Sequence, residues 1–306
     1  MRVLFMGTPD FAVPTLRKLA AAGHEVCGVY TQADKPQGRG HKLQPPAVKA
    51  AALELGLPVY QPATLKDEEV QQQIRSLAPD VIVVAAYGKL LPEAVLNIPP
   101  LGCVNVHGSL LPKYRGAAPI QWAVLNGDKI TGITTMLMAK GLDTGDILLQ
   151  AETPIGEEEK AGELFDRLKD LGADLLIETL TRLEKGDLVP MPQEDAHASY
   201  AAMLTKEMAH LDWNRPAEEL HNWIRGLNPW PCAAAYLDGK RVRLFSSRIV
   251  EGTGEPGMLE NRDGELLVNC GEGALLLTEL QPDNGKRMAG RDYLRGHPLA
   301  PGSKFD

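Results

Sequence analysis

Asn105 and His107 stand two residues apart in Cys103-Val104-Asn105-Val106-His107, where apolar and polar residues alternate with the β-branched content of a strand. A period of two puts both side chains on one face. Gly108 ends the run, and Pro112, Gly116 and Pro119 predict irregular chain over the next dozen residues. The pair is therefore delivered at the strand's carboxyl end. An amide beside a titratable imidazole suits acyl transfer: the amide holds a developing oxyanion without titrating, and the imidazole stabilises charge or moves a proton. The same pair also serves as a hydrogen-bonded pair at a sheet rim, and spacing alone leaves both readings open. A carboxylate follows at Asp143, between Gly141 and Gly145, where the backbone can turn tightly and approach a ligand closely. Between them, Ser109-Leu110-Leu111-Pro112 is either a surface for a planar ligand or a buried apolar turn.

The elements that must position these groups read as an α/β fold. Residues 2–6 form a short apolar strand, 11–22 carry helical spacing up to Gly23, and 25–31 are strand again, which makes a βαβ unit. The pattern continues with helices over 47–55 and 67–77. Val81 to Ala85 is an unbroken apolar run of the kind buried on both faces of a parallel sheet. Strands at 133–138 and 147–150 bracket Asp143, and 161–185 is the longest amphipathic helix. In an open α/β sheet ligands bind beyond the strand carboxyl ends, so Ala86 to Gly88, Asn105 to Pro112 and Asp143 should border one crevice. A dinucleotide fingerprint is missing: only Gly7 follows the first strand, with Pro9 and Phe11 where small residues would be needed, so NAD is rejected.

Residues 187–206 lack a period, carry two prolines and predict a linker between domains spanning 1–186 and 207–306. Past it the texture changes to short alternating segments separated by glycine turns, the pattern of a small antiparallel barrel. At 306 residues the chain has room for two domains. No segment is apolar and long enough to span a bilayer, and no secretory leader is recognisable. Four scattered cysteines without a Cys-x-x-Cys pair predict reduced packing residues and a cytoplasmic location. The other histidines (His24, His41, His197, His210, His221, His297) are too dispersed for a ligand set, and no metal is expected. The net charge of −8 does not advertise a nucleic acid; any such contact must use local patches.

The string Asn105-x-His107-Gly108-Ser109-Leu110-Leu111-Pro112, with Arg115-Gly116 and then Gly141-Leu142-Asp143-Thr144-Gly145, resembles the folate-dependent formyltransferases. The opening MGTPDFAVP, the loop KPQGRGHKL and the late NPWP narrow the resemblance to the branch that formylates methionine on initiator tRNA, and it runs the length of the chain. It implies a doubly wound, mostly parallel, Rossmann-like catalytic domain followed by a smaller OB-like β-barrel. It implies that Asn105, His107 and Asp143 are catalytic. Ser109, Leu110, Leu111 and Pro112, with Tyr87, Gly88 and Leu142, would hold the co-substrate 10-formyltetrahydrofolate. The partner would be methionylated initiator tRNA, and a monomer is expected.

The connection 32–46 is long and carries Lys35, Arg39 and Lys42, with Gly38 and Gly40 about Arg39. Such a run is a solvated loop or an RNA contact, and the resemblance favours the latter for Arg39. Lys240, Arg241, Arg243 and Arg248 cluster on a strand pair of the second domain; Lys240 and Arg243 are taken as RNA contacts there.

Overall fold

The computed structural model describes residues 1–37 and 42–306. The chain forms two units, each assembled from three stretches. One comprises Met1–Gly116, Gly132–Thr153 and Phe165–Tyr200; the other comprises Ala117–Thr131, Pro154–Leu164 and Ala201–Asp306.

The larger sheet has seven strands, in the spatial order Ile147–Pro154, Ile130–Leu137, Cys103–His107, Val81–Ala85, Arg2–Gly7, Glu25–Tyr30 and Val59–Tyr60. The strands from Val59–Tyr60 across to Cys103–His107 pair in parallel, and Ile130–Leu137 joins antiparallel. Every residue of Val81–Ala85 is buried, as its two-sided apolar run requires. Helices Val13–Ala21, Ala47–Glu54 and Glu68–Ser76 supply the crossovers. The expected doubly wound α/β arrangement is present, with element ends within a few residues of the sequence reading.

The helix Ala161–Lys185 backs the strand that carries the site. A Cβ on Gly172 would lie 2.9 Å from Val106 Cγ1, so the approach of helix to strand depends on that glycine. Val106 points away from Asn105 and His107 by strand alternation. The contact therefore fixes the strand from behind. Gly172→Val is expected to destabilise the protein by about 1–3 kcal/mol through overpacking, read as a lower urea midpoint at unchanged slope. An unchanged midpoint would show the approach to be slack.

The stretch after His107 departs from expectation. Pro119 starts a helix, Pro119–Leu125, where it was read as keeping the chain irregular. Proline in the first turn forfeits no hydrogen bond and its φ already suits a helix.

The later unit holds a curled antiparallel sheet in the order Ala234–Leu237, Lys240–Val250, Ala274–Pro282, Glu265–Asn269 and Leu259–Arg262, with Met288–Ala289 on the flank of Ala274–Pro282. Register shifts between Leu244 and Ser247 bend the long strand and promote the curl. Leu244, Leu266, Val268, Leu275, Leu277 and Leu280 fill its interior, with Leu220 and Ile224 from helix Ala217–Gly226. Ala118 and Leu125 belong to the same core. All four cysteines are free and buried. Burial pushes the Cys103 and Cys270 thiols up to about 12, which keeps them un-ionised. No described helix is long and apolar enough to cross a membrane.

Candidate active site

Asn105 and His107 are 9% and 6% exposed at the carboxyl end of their strand. His107 Nε2 lies 2.9 Å from the Tyr114 carbonyl oxygen. A carbonyl can only accept, so Nε2 carries the proton and the neutral ring presents its lone pair at Nδ1. Asp143 Oδ2 stands 3.7 Å from that Nδ1. The distance is too long for a hydrogen bond, but it places a carboxylate directly beside any proton the ring takes up. Asp143 itself accepts from the Gly116 N–H at 2.8 Å. Its φ is +53°, next to Gly141 at +145°, so the loop between strands Ile130–Leu137 and Ile147–Pro154 turns through left-handed backbone. Among the described residues none hydrogen-bonds the Asn105 carboxamide. Amide donor, imidazole and carboxylate thus come from a strand end and the loop beyond a neighbouring strand of the same sheet, 38 positions or less apart in sequence.

The Ser109–Pro112 turn divides by residue. Ser109 is buried and its hydroxyl donates to the Lys113 carbonyl at 2.6 Å; Leu111 is buried with Met136 and Ile147. Thr134 Oγ1 donates to Ser109 O and accepts from Leu111 N, while Gln150 Nε2 donates to Leu111 O. That backbone is pinned, which leaves Leu110 and Pro112 half-exposed. Leu142 is exposed. The Tyr87 ring is buried in the core and its hydroxyl is pushed up to about 12 by that burial. What Tyr87 offers is its backbone. Thr8 Oγ1 and Gln32 Nε2 donate to the Tyr87 carbonyl, beside Gly88 at φ +78°.

Several groups of this region had no role assigned from the sequence, Arg115 having entered only as a letter of the resemblance. Arg115, 2% exposed, sends Nε and Nη2 to Gln193 Oε1 and Nη2 also to Asp195. Ser199 Oγ accepts from Tyr114 N. Residues 193–199 were read as linker because they lack periodicity, and a lone glutamine after two prolines carries no motif. Among the described residues no cluster of His, Cys, Asp and Glu could hold a metal ion.

Residues 1–180 match the sequence family described as formyl transferase, and residues 203–298 match the formyl transferase C-terminal domain. The chain belongs to the formyl transferase family. The methionyl-tRNA formyltransferase of Caldanaerobacter subterraneus subsp. tengcongensis is 50% identical over 306 residues, 99% of each chain. That of Ruminiclostridium cellulolyticum is 49% identical over 310 residues, covering 100% of this chain and 99% of its own. In three dimensions, HypX from Aquifex aeolicus, solved in complex with tetrahydrofolic acid, shares the fold at a TM-score of 0.64 and 18% identity. The match covers 96% of this chain but 47% of HypX, so the chain spans about half that protein's length.

The basic residues expected to meet RNA are distributed as follows. Lys35–Gln37 and Lys42–Gln44 pair as antiparallel strands, so the described residues of the connection include regular structure. Lys35 Nζ reaches Gln32 Oε1 at 3.1 Å. Arg39 lies outside the described residues. Lys49 is tied to Asp34 and Gln61, and the first of these contacts holds the Asp34 carboxyl below the usual carboxylate range. In the later unit Lys240 and Arg243 are exposed. Arg241, Arg243, Lys206, His210, Trp230 and Phe245 line a cavity of about 580 Å³. Arg287 and Arg295 pair with Glu279 and Asp292. His221 is buried between Ser247 and the Glu157 carbonyl, a structural histidine. Trp213 stacks on Phe305 in the core, whereas Trp230 is exposed at the cavity.

Proposed function

We propose that this chain transfers the formyl group of 10-formyltetrahydrofolate to the α-amine of methionine esterified to initiator tRNA, acting as a monomer in the cytoplasm at the start of translation. The observation that carries this reading is the full-length similarity to methionyl-tRNA formyltransferases at half-identity. The placement of His107 against Asp143 supports it chemically.

In this reading the amine nitrogen bonds the formyl carbon, the carbon–N10 bond of the folate breaks, and one amine proton ends on N10. The Asn105 amide donates to the formyl oxygen as it becomes an oxyanion. His107 Nδ1 takes the amine proton and passes it to the leaving nitrogen, and Asp143 neutralises the imidazolium formed meanwhile. The half-exposed apolar faces of Leu110 and Pro112, exposed Leu142, and the backbone of Tyr87 and Gly88 fit a planar folate ring. Ser109 and Leu111 shape that surface through the pinned turn. Residues 1–186 supply the catalysis, 187–206 the linker and 207–306 an RNA-binding surface. Lys35, Arg39, Lys42, Lys240 and Arg243 are assigned to the tRNA.

The test is formyl transfer from 10-formyltetrahydrofolate to methionylated initiator tRNA, with free methionine as control. Transfer to free methionine at the same rate, or none to the charged tRNA, would refute the reading. Arg39→Glu is expected to raise the KM for tRNA about tenfold, the loss of one charge-assisted phosphate contact. The KM for folate should stay put; equal shifts in both would remove Arg39 from the RNA surface.

A further inference from the structure

Gln193 makes four hydrogen bonds through a carboxamide that offers two donors and two acceptor sites. Nε2 donates to the carbonyls of Asp143 and Gly145 at 2.8 Å and 2.7 Å. Oε1 accepts from Arg115 Nε at 3.0 Å and Nη2 at 2.9 Å. Nε2 also lies 4.0 Å from Met136 Sδ.

These bonds join the two halves of the site. Arg115 adjoins Gly116, whose N–H holds the Asp143 carboxylate. The opposite edge of the carboxamide grips the main chain of Asp143 itself. A non-glycine residue at φ +53° occupies a sparsely populated basin and stays there only when its surroundings dictate it. Here the Gly116 N–H fixes the side chain and Gln193 fixes the carbonyl, while its other edge holds Arg115, the chain neighbour of Gly116. The residue type follows from the geometry. Lysine or arginine would bring donors without acceptors, glutamate acceptors without donors, and asparagine is a methylene too short.

We propose that Gln193 is a positioning residue for formyl transfer, setting the Asp143 carboxylate against His107 by holding the Asp143 main chain on one edge and Arg115 on the other. The inference rests on the assignment of Asp143 to the reaction. Gln193 acts through Asp143 and does not meet substrate.

The full-length enzyme is assayed with 10-formyltetrahydrofolate and methionylated initiator tRNA as Gln193→Glu, Gln193→Ala, Asp143→Asn and the double variant Gln193→Glu/Asp143→Asn. Gln193→Glu keeps the Arg115 contacts but turns a carboxylate oxygen toward two carbonyls. Its kcat should fall roughly 10- to 100-fold with both KM values within about twofold. In the Asp143→Asn background the same change should cost less than about twofold, because a residue acting through Asp143 has nothing left to position. Gln193→Ala removes all four bonds without adding charge and should show the same split, so the inference survives or falls on it should the glutamate variant misfold. A full-rate Gln193 variant beside a slow Asp143→Asn overturns the inference alone. So does an equal loss in both backgrounds, which marks a general scaffold role. A full-rate Asp143→Asn overturns the site assignment and the inference with it.

Discussion

Asn105→Ala should lower kcat by about 10²–10³-fold, the loss seen when one oxyanion donor is removed and equal to about 2.7–4 kcal/mol of transition-state stabilisation. Since no described residue hydrogen-bonds the carboxamide, its removal strands no protein partner and folding stability should change little. Folate affinity, measured by equilibrium binding, should stay within about twofold, because the donor matters only once charge has moved onto the formyl oxygen. Asn105→Asp sharpens the test. It keeps shape and volume but presents a carboxylate to a developing anion, so it should be at least as slow as the alanine variant. If either variant turns over at the full rate, the formyl oxygen is held by some other group.

The second large effect is expected at His107. The imidazole does two separable things: Nε2 anchors it on the Tyr114 carbonyl, and Nδ1 faces Asp143. Glutamine can place its Nε2 near the imidazole Nε2 and keep the anchoring bond, but it has no titratable atom where Nδ1 stood. His107→Gln should therefore fold normally and lose about 10²–10⁴ in kcat, the usual range for a positioned acid–base group. Asparagine, which mimics the Nδ1 side and forfeits the anchor, should be slower still and less stable to urea. Were the glutamine variant to keep most of its activity, the proton would travel by a route that bypasses the ring, with Asp143 the next group to test.

Much of this arrangement could be read in the residue order, and the exceptions have physical reasons. Val81–Ala85 and Ala161–Lys185 were placed to the residue because burial on two faces and amphipathic spacing are local signals. Asn105, His107 and Asp143 were visible because a strand's period and a glycine-flanked acid constrain direction. Pro119–Leu125 was missed because proline reads equally as a breaker and as a first-turn residue, and only its surroundings decide. The short strands Lys35–Gln37 and Lys42–Gln44 hid inside a charged, glycine-bearing run. Gln193, and what Arg115 does beyond its place in the Arg115-Gly116 motif, were invisible for a deeper reason. Their partners lie dozens of positions away, and a hydrogen bond between distant side chains leaves no periodicity behind. The roles of Ser109 and Leu111 in shaping the turn, against exposed Leu142, likewise follow from neighbours that the string of letters does not name.

Helix Pro119–Leu125 and the residue before it send Leu125 and Ala118 into a core whose other buried residues lie beyond 200. On the ribosome those apolar groups emerge about eighty residues before their first late partner, Leu204, has been made. During that interval they have no native core to enter and remain exposed apolar surface. For the same reason no single proteolytic nick can release the later unit intact, because its middle pieces are threaded through the earlier half of the polypeptide.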